Sequence, residues 1–421
     1  MQFTTVKGFK DILPGEVEIW QSVESTARNL FRSFGFHEIK TPLLERTELF
    51  TRGIGEATDI VSKEMYSLTD TKGRSMSLRP EATASVVRAY IQNRLYLKNP
   101  VQKLFTIGPM FRHERPQKGR FRQFHQIDAE LFGDPGPKSD AEIIVLSATL
   151  IDALGIKDTV LNINSLGCRE CRPEFRERLQ RFMQDRSEQL CPDCKRRAEI
   201  NPLRVFDCKV KRCNEIVSGA PSILDFLCDS CRHHFEAVKD YLGLADVTFT
   251  VNPRLVRGLD YYSRTAFEIQ TDKLGAQNAI AGGGRYDGLV KLLGGPDHPA
   301  IGFAMGVERV VALLQDTGTR KAERPDLFIA DIGENARKTT FGWLLRLRKQ
   351  GLWVETDYGS GGLKAKMKKA DRLGAARVLI VGDDELESGR AVLRDMDTKD
   401  QTEIELGNVV ETLLSLILMA S

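Results

Sequence analysis

Long apolar runs are missing from this 421-residue chain. The longest, residues 409–420, is interrupted by Glu411 and falls short of the roughly 20 residues that span a bilayer. Residues 1–11 alternate apolar and charged side chains and have no apolar core of a secretory leader. The expectation is therefore a soluble, cytoplasmic protein with no membrane partner. An excess of one charge is missing too: 61 Lys and Arg stand against 58 Asp and Glu, a formal +3. That balance excludes a uniformly basic coat, so any nucleic-acid contact must come from local patches. Cysteine is absent outside residues 168–231, where all eight lie. Without an export signal a disulfide framework is not expected, and clustered thiols in a reducing compartment point to metal.

What is present suits a multidomain globular chain. Hydrophobic residues make up 41%, and the length implies about two to four domains. Residues 16–34 carry Ile19, Trp20, Val23, Ala27, Leu30, Phe31 and Phe34 at a helical period, with Pro14 and Gly15 leading in and Gly35 as C-cap. Residues 36–44 read as a strand ending near Pro42. LFTIGPMF and QFHQIDAELF read as an antiparallel hairpin around the basic tip ERPQKGR. A second hairpin is expected at TAFEIQ and QNAIAGG, with its turn at 272–275. Residues 301–305 read as a buried strand running into a helix at Gly306. The helix-rich, strand-poor segment 167–243 reads as an insertion carrying the cysteines. Beyond a polar linker at 315–324, strand and helix patterns alternate, the mark of a separate α/β domain over 325–421.

Four constellations concentrate chemistry. In FRHERPQKGRFRQFHQIDAE, residues 111–130, five basic residues (Arg112, Arg115, Lys118, Arg120, Arg122) face only Glu114 within 111–122. A strand-borne guanidinium grips phosphate bidentately; the other reading is a solvated hairpin tip. LVRGLDYYSRTAFE, residues 255–268, packs Arg257, Tyr261 and Tyr262 beside a glycine. AGGGRYDGL, residues 281–289, is neither a Walker loop nor a dinucleotide fingerprint and by itself reads as a turn. AIGFAMGVERV, residues 300–310, sets Arg309 in the first turn of a helix, where anions are favoured.

Together these segments resemble the class II aminoacyl-tRNA synthetases over essentially the whole chain, and among them the histidyl-tRNA synthetases. GFHEIKTPLLE is similar to the first class motif, with Pro42 at its dimer interface; FRHERPQKGRFRQFHQ is similar to the second and AIGFAMGVERV to the third. LVRGLDYY and GGGRYDGL resemble the two segments peculiar to the histidine enzymes. The resemblance implies an α+β fold: an antiparallel sheet of six or seven strands flanked by helices, a helical Cys-rich insertion at 167–243 interrupting a catalytic domain at 1–320, and an anticodon-binding α/β domain at 325–421. It implies a ligase of L-histidine and tRNA(His) that works through a histidyl-adenylate, releases pyrophosphate and AMP, takes ATP with Mg²⁺, and forms a homodimer.

Carried onto this chain, the resemblance implies Arg257 and Arg112 as catalytic residues. Glu81, Thr83 and Gln126 fall at the pocket for the α-amino group, Ala82 joins the histidine-binding set, and Arg112 and Arg257 lie toward the carboxylate. Glu130, Tyr261, Tyr262 and Tyr286 fall on the imidazole side, where a buried acceptor and a hydroxyl can demand both ring nitrogens. ATP falls to Arg112, Glu114, Arg120, Phe124 and Arg309, and the tRNA acceptor end to Arg115 and Gln117. The basic set Lys364, Lys366, Lys368, Lys369 and Arg372 is a candidate phosphate contact on the anticodon side, or a solvated helix face.

The cysteines follow the spacing Cys168-x2-Cys171, Cys191-x2-Cys194, Cys208-x4-Cys213 and Cys228-x2-Cys231. Two tetrahedral zinc sites would use all eight, the first four and the last four falling at or near zinc-ribbon spacing. Other pairings, replacement of a thiolate by His233 or His234, and metal-free thiols stay open. The resemblance itself does not imply zinc. The competing function is the non-catalytic paralogue that regulates ATP phosphoribosyltransferase in histidine biosynthesis, which typically lacks the ATP- and tRNA-facing residues and the anticodon domain. A zinc-ribbon nucleic-acid module would explain the insertion alone.

Overall fold

The computed structural model describes residues 3–55, 58–117, 119–274, 278–316, 324–359 and 361–418. Lys118, the turn residues 275–277, linker residues 317–323 and the end of the 409–420 run lie outside the described residues. The chain divides into two units, Met1–Thr319 and Arg320–Ser421.

Alternation along one strand sets the layers of the first unit. In Gln123–Phe132, Ile127, Ala129 and Leu131 enter a core beneath three helices, Val17–Ser33, Pro137–Ala153 and Val307–Asp316. Gln126, Asp128 and Glu130 consequently point to the opposite face, since successive strand side chains alternate. That strand pairs antiparallel with Gln102–Phe111 on one side and Ala300–Gly306 on the other. Ala279–Arg285, Ser263–Gln270 and Val160–Ser165 continue the antiparallel centre. The sheet has eight strands rather than the six or seven expected, because two-residue strands, His37–Glu38 and Thr250–Val251, add in parallel at its edges.

Two local readings are corrected. The expected strand at 36–44 pairs only at His37–Glu38, then resumes as Leu44–Arg46 in a separate three-stranded sheet with Ser75–Leu78 and Ser67–Thr69. Pro42 lacks an amide donor, and the Thr41 carbonyl is taken by Arg79 at 3.2 Å, so the ladder cannot continue. The glycine run 281–284 is not a turn but part of the central strand Ala279–Arg285.

Arg285 ends that strand fully buried, and all five of its N–H groups find acceptors. Nε donates to Asp140 at 2.9 Å, Nη1 to the Asp134 carbonyl and Asp287, both at 3.0 Å, and Nη2 to Ser139, Asp140 and the Gly136 carbonyl. Asp140 also meets His234 Nε2 at 2.8 Å. Burial pushes the Asp140 carboxyl up, but the bonds from His234 and Arg285 prevail and hold it below the ordinary range.

The insertion lies between Val160–Ser165 and Thr250–Val251. Its helices are Arg172–Gln184, Pro192–Ile200, Lys211–Val217 and Asp229–Leu244. Phe235, Val238 and Leu242 of the last helix join the main core. The remainder packs a small core of its own, in which Cys171, Cys194, Cys208, Cys213 and Cys231 are buried.

The second unit has a five-stranded sheet in the spatial order Val354–Thr356, Leu327–Ile332, Arg377–Gly382, Arg390–Asp395 and Gln401–Glu405. The first three run parallel and the last two add antiparallel. The basic helix Leu363–Arg372 does not present all its charge to solvent: Lys366 is buried on Asp331, and Lys369 reaches Asp357 at 2.8 Å. Lys364, Lys368 and Arg372 remain exposed. Among the described residues, no helix is long and apolar enough to cross a membrane.

Removing the Arg285 guanidinium strands a buried carboxylate. Arg285→Met should cost about 3–5 kcal/mol of stability, measured by urea unfolding of the full chain.

Candidate active site

The polar face of the sheet opens into a cavity walled by Gln126, Asp128 and Glu130, by the segment 255–262, and by the Ala279–Arg285 strand. At one end, carboxylates converge. Glu81 sits just before the helix Thr83–Gln92 and accepts the Thr83 amide at 2.8 Å and the Ala84 amide at 2.9 Å, capping free N–H groups of its first turn. Glu130 accepts the Thr83 hydroxyl at 2.6 Å and the Tyr286 hydroxyl on its other oxygen. Burial pushes its carboxyl up to about 8, against the lowering effect of those two bonds. Burial, with Glu130 and Glu81 nearby, raises Asp128 well above the usual carboxylate range. Tyr261, Tyr262 and Tyr286 complete this end, their hydroxyls pushed up first by burial. Such a site is suited to a cation that also offers ring N–H or nitrogen groups.

Arginines converge at the other end. Arg112 lies one residue past its strand, not within it; its Nε donates to the Pro80 carbonyl at 2.8 Å and its guanidinium lies 5.1 Å from the Phe124 ring centre. Arg120 pairs with Glu114 at 2.6 Å, and Glu114 stands 3.8 Å from Arg112. Arg309, in the first turn of its helix, donates to the Ala279 carbonyl. Burial lowers its pKa, and Arg120 nearby adds to that effect. Closely spaced guanidiniums are stable together where a polyanion shares them.

Arg257 lies between the two ends. It donates to Glu268, and its guanidinium lies 5.9 Å from the Tyr262 ring centre. Burial opposes its charge, but Glu268 prevails and raises its pKa. A methyl group on Gly282 would sit 2.5 Å from Arg257 Nη1, so Gly282 is the bare point of the strand on which this guanidinium rests. A methyl on Gly302 would overlap the Glu130 carboxylate. Among the described residues, Arg257 Nε, Gln126 Oε1 and Asp128 Oδ2 line the cavity buried without a hydrogen-bond partner, leaving these atoms free for a polar ligand.

Of the residues proposed from sequence, Ala82 is buried outside the cavity wall, while Arg115 and Gln117 are exposed on the hairpin tip. Among the wall residues that were missed are four carboxylates, Asp128, Asp207, Glu268 and Glu308. Asp128 shares the face of Gln126 and Glu130 at a spacing of two, a signal that strand alternation offered. Glu268 had no local signal of its pairing with Arg257, and Asp207 reaches the cavity from the insertion. The eight thiols do not group as first four and last four. Cys168, Cys171, Cys228 and Cys231 form one tetrad, and Cys191, Cys194, Cys208 and Cys213 the other. His234 is held by Asp140 and His233 is exposed, so neither replaces a thiolate.

Glu130 gives a pH dependence. Its folded pKa of about 8 lies above the unfolded 4.5, so the folded state keeps a proton that the unfolded state loses. Wild-type stability should therefore fall between those pH values and level off above. Glu130→Gln should flatten that slope, read as Tm against pH, whatever constant offset the amide introduces.

The family model described as Histidyl-tRNA synthetase matches residues 8–310, and one described as Anticodon binding domain matches 327–416. A histidine–tRNA ligase of Desulfatibacillum aliphaticivorans is 56% identical over 412 residues, 98% of each chain. One of Desulfosudis oleivorans is 57% identical over 414 residues, also 98% of each. The crystal structure of apo histidyl-tRNA synthetase from S. aureus aligns with a TM-score of 0.82 at 36% identity, covering 98% of this chain and 100% of that one. With an ammonium-suited end and a polyanion-suited end in one cavity, and with these matches along its length, the chain belongs to the histidyl-tRNA synthetase family.

Proposed function

We propose that the protein joins L-histidine to tRNA(His) in two steps. The histidine carboxylate attacks the α-phosphorus of ATP and expels pyrophosphate. A hydroxyl of the terminal tRNA ribose then attacks the carbonyl carbon of the adenylate and releases AMP. The observation that carries this reading is the opposed chemistry of one cavity: the carboxyl groups of Glu81, Asp128 and Glu130 at one end, the guanidiniums of Arg112, Arg120 and Arg309 at the other, and Arg257 between them. A histidine with its ammonium and imidazole among the carboxylates and tyrosines directs its carboxylate toward the arginines.

In this arrangement Glu81 and Gln126 hold the ammonium, while Glu130 and Tyr286 face the ring. Phosphoryl chemistry of this type is chiefly positioning and charge stabilisation. Arg112 and Arg257 accordingly take the reacting carboxylate and α-phosphate, and Arg309 and Arg120 the outer phosphates. Phe124 offers an aromatic face to the base. Mg²⁺ arrives with ATP, and Glu114, held between Arg112 and Arg120, is the carboxylate available to it. The exposed Arg115 and Gln117 serve the acceptor end, and Lys364, Lys368 and Arg372 the anticodon side. Exposed Pro42, Leu43 and Leu44 support a homodimer through the first motif, and translation places the enzyme in the cytoplasm. The regulatory-subunit reading is disfavoured because Arg112, Arg257 and Arg309 all line the cavity and the chain carries the second α/β unit.

Histidine-dependent ATP–pyrophosphate exchange is the test; its absence in folded protein would favour the regulatory subunit. Arg257→Ala should slow exchange by about 10²–10³-fold with the circular dichroism unchanged. Gly282→Ala, which must push Arg257 off the strand, should cost about 10²-fold in the same assay.

A further inference from the structure

The insertion's sulfurs are arranged for metal. In each tetrad the four Sγ atoms lie within 4.8 Å of one another. Cys168 Sγ stands 3.6 Å from Cys171 Sγ and 3.9 Å from Cys228 Sγ, and Cys191 Sγ stands 3.9 Å from Cys208 Sγ. A tetrahedral ion with metal–sulfur bonds of about 2.3 Å requires edges of about 3.8 Å. Disulfide sulfurs would be about 2.05 Å apart, and all eight cysteines are free. An iron–sulfur cubane binds each thiolate to a different iron, spacing them farther apart than this.

Backbone amides point at the sulfurs as they do at thiolates. The Glu170 amide donates to Cys168 at 3.4 Å, the Cys228 amide to Cys171 at 3.2 Å, the Cys191 amide to Cys213 at 3.3 Å and the Val210 amide to Cys208 at 3.4 Å. The tetrads are nested: the outer one ties the two ends of the insertion together, and the inner one closes its middle. A core this small, with five cysteines among its fourteen buried residues, gains from such crosslinks.

Each tetrad also sits beside residues that grip the segment 255–262. Arg172, next to Cys171, donates to the Leu166 carbonyl at 3.1 Å and to the Tyr262 carbonyl. Arg204, four residues before Cys208, donates to the Gly258 carbonyl at 2.7 Å and to Asp260 at 3.1 Å, and Asn201 joins Asp260 at 3.1 Å. Asp207, adjacent to Cys208, forms part of the cavity wall.

We propose that the insertion binds two zinc ions, one in each tetrathiolate tetrad, and that they hold Arg172 and Arg204 against segment 255–262 and thereby shape the amino-acid pocket. The significance of that pocket rests on the function proposed above; the metal content and the bracing of the segment do not.

Elemental analysis of full-length protein purified without chelator should find two zinc per folded chain, and cobalt-grown protein should show a tetrahedral thiolate spectrum. Well under two equivalents, or iron in place of zinc, would overturn the assignment. Cys191→Ser with Cys208→Ser should retain one equivalent; retention of two would also overturn it. Bracing is read without catalysis, by hydrogen–deuterium exchange. Amides of 255–262 should exchange about tenfold faster or more in Arg204→Ala, a variant with its zinc intact, and again after chelation. Unchanged protection in Arg204→Ala would overturn the bracing role, even if the cysteine variants fail to fold. Absence of pyrophosphate exchange in wild-type protein would overturn only the synthetase reading.

Discussion

The placement of Arg257 against a strand stripped of side chains is the constraint on which the site depends. A guanidinium can lie flat on a sheet only where no Cβ intervenes, and Gly282 provides that opening. Gly283 permits a second close approach, since a methyl there would sit 2.1 Å from the Gly302 carbonyl. A strand so rich in glycine packs little of its own surface and loses much conformational entropy on folding. Arg285 compensates at its end, where five donors bind Asp140, Asp287, Ser139 and the loop 134–136. The bare strip and its anchor are parts of one arrangement.

Charge separation along the cavity follows from the same geometry. Glu130 and Asp128 come from one strand face, and Arg112 follows the neighbouring strand across the hairpin. Arg257, neutralised in part by Glu268, stands where the two fields meet. Buried carboxylates without a cation protonate, which is why Glu130 shifts to about 8. In the proposed binding mode the histidine ammonium goes to Glu81 and Gln126 and its carboxylate toward the arginines, so substrate and pocket are complementary in only one orientation.

The insertion contributes from outside the sheet. It is anchored on one side by Phe235, Val238, Leu242 and the His234–Asp140 contact, and on the other it grips 255–262 through Arg172 and Arg204. Residues distant from the cavity therefore help to set the conformation of a wall segment.

The segments that line the candidate site were legible in the sequence because each is local: a strand with a basic tip, an Arg–Tyr cluster, a glycine run and a helix-opening arginine carry their residue types at short, fixed spacing. Hydrophobic period likewise located the hairpin and the flanking helices, since burial on one face imposes it directly. Long-range pairing was not legible. Glycine spacing at 281–284 suits a turn and a strand equally, and only the approach of Arg257 and the neighbouring backbone distinguishes them. Lys366 looks like its exposed neighbours until Asp331 is placed beneath it. The cysteine spacing announced metal-type tetrads but not their nesting, because partners as far apart as Cys171 and Cys228 meet only when the insertion's two ends return to the same sheet. Sequence alone thus determined which residue types lie near one another along the chain, and the tertiary structure decided which charges and sulfurs face one another across it, since those contacts depend on how the sheet and helices close in space.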